Sequence, residues 1–357
     1  MVAPLNSELL RHRYTLPANV ILLNGHVSQA PPNAAMAGIV AAHHDWVKHP
    51  GERCLDITAA AGAVRTAVTE RLSGGDPDDI VLGENEDALL ALFLQNLPQD
   101  RSSILMQDGG FRNVTRLCNR RVGINVLNEG PVEDLVERLL GQMHPGIGGV
   151  LVSQVLERTG ELVPHLEKLV EAADKQGTAV LIEVNDFNVI PFNARDHHAA
   201  FLLGSGERHA QWGDGVGWMR LPYQLRQFSF EYERMLHRGA PFKYDPTAHY
   251  RARAVAQEFA ELGLDVPTLR ANSLRQTDVL LSGLDGYKLL TPREAERRGS
   301  FLVIELADAE RICGHLRTHD IWVDALGRRL RFGPAPYTTD EDIERALTIF
   351  RKLVPLP

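Results

Sequence analysis

Between positions 204 and 215 the chain reads Gly204-Ser205-Gly206-Glu207-Arg208-His209-Ala210-Gln211-Trp212-Gly213-Asp214-Gly215, four glycines among two acids, an arginine, a histidine and a tryptophan. Glycine has no Cβ to hold a ligand away from the backbone. An arginine fork can hold a carboxylate or phosphate through two parallel bonds, and a histidine can take or give a proton near neutral pH. Apolar runs at 199–203 and 216–221 flank the segment and mark it as strand, loop, strand. The loop is therefore a candidate ligand site, with Arg208 as its fixed charge and Trp212 and Trp46 as candidate walls of an aromatic pocket.

Other polar clusters fall where apolar runs end. Glu84-Asn85-Glu86-Asp87 follows the run at 80–82, Gly109-Gly110-Phe111 the run at 103–106, and Ser153-Gln154 the run at 149–152, while Glu183-Val184-Asn185-Asp186 closes the run that begins at 179. Asn85 has the type and place of a helix N-cap, and a helix N-terminus attracts anions. Glu84, Glu86 and Asp87 instead surround it with negative charge, as acids in a first helical turn do. His26 follows the turn Asn24-Gly25 and is a candidate acid or base. The adjacent pairs His43-His44 and His197-His198 would diverge by about 100° on a helix. Cys54, Cys118 and Cys313 form no CxxC pair, so no metal site is expected.

The elements that must position these groups alternate. Short apolar strands at 80–82, 103–106, 124–127, 149–152 and 179–184 are separated by amphipathic helices at 86–97, 111–119, 132–143 and 162–176. Uniformly apolar strands between helices predict an α/β fold, a mostly parallel sheet covered on both faces, with ligands at the carboxyl ends of the strands. A long helix at 250–261 leads into a small C-terminal α+β region with strands at 301–306 and 330–332 and a closing helix at 340–353. The expected organisation is an N-terminal segment 1–35 entering the site, a large domain 36–248, and an interdomain helix with a small domain at 249–357.

Composition narrows the function classes. With 357 residues and a net charge of −8, the chain is long enough for two cores, and its charge argues against nucleic acid or anionic membrane as a partner. No apolar stretch reaches the length of a membrane span and no leader pattern opens the chain, so a cytoplasmic location is the expectation. Arginines far outnumber lysines, which are only Lys48, Lys168, Lys175, Lys243, Lys288 and Lys352.

Several motifs together carry a family resemblance: Glu84-Asn85-Glu86-Asp87-Ala88-Leu89, Gly110-Phe111-Arg112, Phe187-Asn188-Val189-Ile190-Pro191-Phe192, the 204–215 loop, Tyr244-Asp245-Pro246-Thr247-Ala248-His249-Tyr250-Arg251-Ala252, and Arg331-Phe332-Gly333-Pro334-Ala335-Pro336-Tyr337. In this order the chain resembles the pyridoxal-phosphate (PLP) fold-type I enzymes of the class V aminotransferase group, kynureninase-like members above all. The resemblance implies that fold and a homodimer with sites at the subunit interface. It also implies cofactor-binding roles for Asn85, Glu86, Phe111, Asn185 and Thr247, and makes Arg331 the residue that grips a substrate carboxylate. Phe111 would stack on the cofactor ring, and Thr247 would reach toward the partner's site.

The departures from the resemblance matter more. Arg208 stands where such enzymes carry the Schiff-base lysine, and a guanidinium is always protonated and a poor amine nucleophile. The aspartate that pairs with the pyridine nitrogen falls on Ile182, or on Glu183 with a one-residue shift, and Glu86 stands where a hydroxyl is expected. Lys243 is the one lysine beside a family motif. The expected function is a PLP-independent enzyme of specialised metabolism acting on a small amino-acid-derived or aromatic carboxylate, with Arg208, His26 and Glu183 as catalytic candidates and Arg331 and Trp212 as substrate contacts. Two alternatives stand beside it. One is an amino-acid lyase or aminotransferase using noncovalent PLP or pyridoxamine phosphate (PMP), and the other is a catalytically silent binding or partner subunit.

Overall fold

The computed structural model describes residues 5–48, 54–118, 122–228 and 245–356, with backbone alone at 54–56 and 226–228. The described residues form twelve strands. They are β1 (Ile21–Leu22), β2 (Ile80–Gly83), β3 (Ser103–Gln107), β4 (Gly123–Leu127), β5 (Ile147–Ser153), β6 (Ala179–Glu183), β7 (Phe201–Ser205), β8 (Gly217–Arg220), β9 (Leu302–Glu305), β10 (Ile321–Trp322), β11 (Asp324–Leu326) and β12 (Arg329–Phe332).

The expected α/β architecture is the one observed. A seven-stranded sheet runs β2-β8-β7-β6-β5-β3-β4, with β8 antiparallel to both of its neighbours and β3 to β7 parallel. Strands β2, β5, β7 and β8 are buried at every position, because helices cover both faces. Alternate side chains divide between two cores: Val150, Val152, Ile182 and Leu202 enter one, while Leu151, Leu181 and Leu203 enter the other, under the helix Glu86–Gln95. This period of two decides which side chains can reach a site at the sheet's carboxyl edge. Ile182 is committed to the first core, so its neighbour Glu183 projects from the opposite face.

A smaller antiparallel sheet, β11-β12-β9, packs with the helices Val266–Gly283, Ala309–Arg317 and Asp340–Leu353 into a separate core. The N-terminal segment is stitched to it. β1 pairs in parallel with β10 through Ile21↔Ile321, and Gly25 N–H donates to Gly333 O at 2.7 Å. A Cβ at Gly333 would lie 2.3 Å from the His26 ring, so the glycine of the Arg331-Phe332-Gly333 motif makes room for that histidine.

Three elements depart from the sequence-based expectation. The helix expected at 111–119 shrinks to Val114–Leu117, since Phe111 adopts φ +49°, a left-handed conformation no helix contains. The helix expected from 162 starts at Leu166. Pro164 cannot continue a helix inward, and Leu162 instead bridges Val155. The helix Val266–Gly283 escaped notice because its buried face mixes Leu269, Leu280 and Leu281 with Asn272, Gln276 and Thr277, which blurs the apolar period. Among the described residues no helix is long and apolar enough to cross a membrane.

Candidate functional site

At the carboxyl edge of the large sheet the N-terminal segment and the small sheet close over a cavity of about 270 Å³. Its floor comes from the ends of β6 and β7 and the first turn of Glu86–Gln95, its wall from His26, Phe301, Asp324 and Arg331. A second recess of about 840 Å³ adjoins it, sharing Glu86, Asp87, Asn113 and Arg208 and adding Asn85, Ser205, Asp214 and Thr247.

Arg208 reaches the floor because its loop is pinned on both sides. Gln29 N–H donates to Glu207 O at 3.1 Å, Asn188 Nδ2 to His209 O at 2.9 Å, and Arg251 binds the carbonyls of Trp212 and Asp214. The guanidinium lies 3.9 Å from Glu157 and its buried Nε has no hydrogen-bond partner. Burial opposes its charge, but Glu86, Glu183, Glu157 and Asp186 together outweigh that and hold it above the usual arginine range. Burial in turn pushes the carboxyls of Glu86 and Glu183 upward against the pull of Arg208, and the charge of Glu183 raises Glu86 further. Ser153 Oγ donates to Glu183 at 2.8 Å, and Oε1 of Glu86 is buried without a partner.

The two charged residues of the wall are paired with each other. Arg331 and Asp324 face each other across the β11–β12 register, with Nε 2.6 Å from Asp324 Oδ2, and Arg331 Nη1 donates to Glu157 O at 3.2 Å. Burial would raise the Asp324 carboxyl, but His26 and Arg331 hold it down at about 2. His26 stacks on Phe301 with ring centroids 4.4 Å apart, its Nε2 3.9 Å from Asp324. Burial pushes it down to about 4 despite Asp324, and both ring nitrogens lack hydrogen-bond partners.

Behind the floor runs a buried polar chain. His209 Nε2 lies 3.2 Å from Asp186, Ser300 Oγ donates to Asp186 at 2.9 Å, and His209 Nδ1 meets Gln29 Nε2 at 2.8 Å. Gln211 Nε2 continues to Gln29 Oε1 at 2.7 Å, and Tyr14 donates to Gln211 at 2.5 Å. Burial works against ionised Asp186, yet His209, Ser300 and Arg208 hold its carboxyl below the ordinary value.

Seven of the residues picked from the sequence meet in the first cavity: His26, Glu86, Phe111, Glu183, Asn185, Arg208 and Arg331. Asn85 and Thr247 line the second recess, and Asn85 also caps its helix by accepting Ala88 N–H at 2.9 Å. Trp212 does not reach the first cavity. It is 2% exposed in the core, edge-on to Phe187, because Gly206 packs directly against its ring. Trp46 lies exposed on the helix Ala34–Lys48. Among the described residues no lysine lines either cavity; Lys243 falls outside the described residues. Sequence reasoning missed Asp324 and Glu157. A signal for Asp324 existed in the turn glycine Gly327 (φ +59°), which folds the strand bearing Asp324 back onto that bearing Arg331.

Comparison with known proteins agrees with this architecture. A model of the kynureninase C-terminal domain matches residues 269–350. Kynureninase from Shouchella clausii is 23% identical over 251 residues, 60% of this chain and 56% of that protein. Kynureninase from Bacillus cereus is 25% identical over 249 residues, 61% of this chain and 57% of that protein. The match thus spans little more than half the length of these curated relatives. The apo cysteine desulfurase of Thermococcus onnurineus NA1 superposes with a TM-score of 0.82 at 16% identity, covering 99% of both chains. A lysine-to-alanine mutant of C-DES, with glycine covalently linked to its PLP cofactor, superposes with a TM-score of 0.81 at 14% identity, covering 95% of this chain and 98% of that one. The fold is that of the fold-type I PLP-dependent enzymes, and the sequence is kynureninase-like.

Proposed function

We propose that this chain is a kynureninase-like enzyme that works without covalently bound PLP, on a small amino-acid-derived or aromatic carboxylate substrate. The observation that carries the reading is Arg208, a guanidinium held charged among four carboxylates at the loop position where the resemblance places the Schiff-base lysine. The expected phosphate seat departs as well. Glu84, Glu86, Asp87, Glu207, Asp214 and Asp245 line the second recess against Arg208 and Arg251, a surplus of negative charge that repels a dianion. The residues present do not fit PLP as a covalently held cofactor.

What remains is acid–base chemistry in the first cavity. Glu86 is pushed toward its protonated form and His26 toward its neutral form, so one wall holds a proton and the other can accept one. Two titratable groups driven apart in this way mark an acid and a base. Arg331 offers the substrate carboxylate a cation, in exchange for part of its bonding to Asp324. The chain is proposed to act as a homodimer, for which Met36, Val40 and Val47 supply an exposed apolar face on Ala34–Lys48.

The test is incubation with PLP followed by borohydride. The expected outcome is a colourless protein with no reducible adduct. An adduct on any lysine, Lys243 included, overturns the reading. Arg208→Lys is the companion: a yellow, reducible variant means that the rest of the cradle is intact. A second reading, noncovalent PLP or PMP, is favoured by Phe111 and Glu183 lining the same cavity, where they would meet the ring face and ring nitrogen. PLP retained through gel filtration without a reducible bond would select it.

A further inference from the structure

The ion pairs around the first cavity leave a remainder. Asp324 is matched by Arg331, and Glu157 by Arg112 at 2.8 Å and Arg208 at 3.9 Å. Asp87 is matched by Arg116 at 3.0 Å, and Asp186 by His209 at 3.2 Å. Glu86 and Glu183 are left over. Glu183 has the Ser153 hydroxyl, and Glu86 has a buried Oε1 with nothing bound to it. Arg208 draws on both electrostatically but forms its ion pair with Glu157. Uncompensated carboxylates inside a protein are costly unless a cation or a proton joins them.

A second observation, independent of the acids, says that a ligand belongs here. Three cavity-lining side chains are nine-tenths or more buried and still hold unused hydrogen-bonding atoms. They are His26 (4% exposed, Nε2, since its Nδ1 abuts Gly333), Asn185 (5%, Nδ2) and Gln154 (6%, Oε1). Buried polar atoms are almost always satisfied, so a cluster of exceptions facing one cavity marks the outline of a polar guest. The rings of Phe111 and Phe301 complete the lining, and aromatic faces attract cations.

We propose that this cavity seats a primary ammonium group between Glu86 and Glu183, so that the substrate is an amine whose carbon frame lies against Phe111 and Phe301. The proposal rests on the reading that no cofactor occupies this floor. An anion entering at the same place would meet two carboxylates whose one shared counter-charge, Arg208, is already drawn on by both. An ammonium brings three donors to a site whose unused atoms include Glu86 Oε1 and Gln154 Oε1. The Asn185 amide, which also faces Glu86, and Nε2 of His26 complete the polar rim.

Calorimetric titration of the full chain, without added PLP, tests this with three probes of one shape: phenethylamine (amine only), 3-phenylpropionate (carboxylate only) and phenylalanine (both). Phenylalanine, which engages both the floor acids and Arg331, is expected to bind tightest, phenethylamine next, and 3-phenylpropionate, held by Arg331 alone, weakest. Glu86→Gln and Glu183→Gln should each weaken phenethylamine about tenfold, the scale of one charge-assisted bond. Should a variant fail to fold, the wild type still decides. Ammonium capture displaces the proton held on Glu86, so the measured enthalpy must change with the ionisation enthalpy of the buffer. Equal or tighter binding of 3-phenylpropionate, no binding of either amine at millimolar concentration, or a buffer-independent enthalpy overturns the proposal. A borohydride-reducible PLP adduct would instead sink the cofactor-free reading, and the two failures are separable because the titration contains no cofactor.

Discussion

On the wall of the cavity, Arg331 and Asp324 meet across paired strands, share a short fork and leave the guanidinium only 6% exposed. On the floor, Arg208 sits at the tip of a loop among four carboxylates, reaches one of them at 3.9 Å and keeps an unbonded Nε. The same residue type is built in once as a finished pair and once as a partial counter-charge. Strand register explains the first, since cross-strand partners are held at fixed distance. A loop tip surrounded by acids has no such constraint, and its surplus charge is available for a ligand.

The largest effect expected from this contrast is on stability. Arg331→Leu strands Asp324 in a partly buried site and should cost about 3–5 kcal/mol in urea unfolding. Arg208→Leu should cost only about 1–2 kcal/mol at neutral pH, because Glu86 and Glu183 can take up protons when their cation is removed. Equal losses for the two variants would erase the distinction between wall and floor.

Next in size is the acid response of the wall. His26 is held down at about 4 by burial, so its unfolded form gains a proton first as pH falls. Stability from this group is complete above about 6.5 and is lost between about 6.5 and 4, roughly 3 kcal/mol in all. A pH series of unfolding free energies should show that slope, and His26→Asn should flatten it. Asp324, held down at about 2, contributes in a lower window. Its stabilisation is present above about 3.9 and fades toward 2, about 2 kcal/mol after allowing for the 28% exposure of its side chain. Asp324→Asn should remove this second slope. A slope that persists in both variants would assign the acid response to other groups.

How much of this could be read beforehand depends on whether the signal lies within one segment. The strands β5 and β6 announce themselves as unbroken apolar runs, and the 204–215 loop as glycines around charge, so the sheet and the place of Arg208 were legible. Which of Ile182 and Glu183 faces the cavity was not. It turns on which face of β6 meets which core, and that follows from pairing Ile182 with Val152 and Leu202. Asp324 was invisible for the same reason, since its meaning comes from lying opposite Arg331. Trp212 misled because a tryptophan beside glycines suggests a ligand wall, whereas Gly206 is small to let that ring into the core. The left-handed Phe111 cut short a helix whose apolar pattern was otherwise sound.

The smallest effect expected has the opposite sign and probes the floor directly. Glu86 is raised by burial, against Arg208, and Glu183 adds to the rise. A carboxyl raised on folding contributes most at low pH, below its unfolded value, and that contribution is lost as pH climbs through the folded value. At neutral pH and above, Glu86 is therefore a cost to the empty protein. Glu86→Gln keeps the shape, removes the charge and should stabilise the chain by roughly 1 kcal/mol, with the gain growing as pH rises. The wall variants His26→Asn and Asp324→Asn cannot behave this way, because their groups lose stability on acidification. A Glu86→Gln variant that is less stable at every pH would mean that Arg208 and Glu86 form a finished pair like the one on the wall, and that the floor holds no charge in reserve for a substrate.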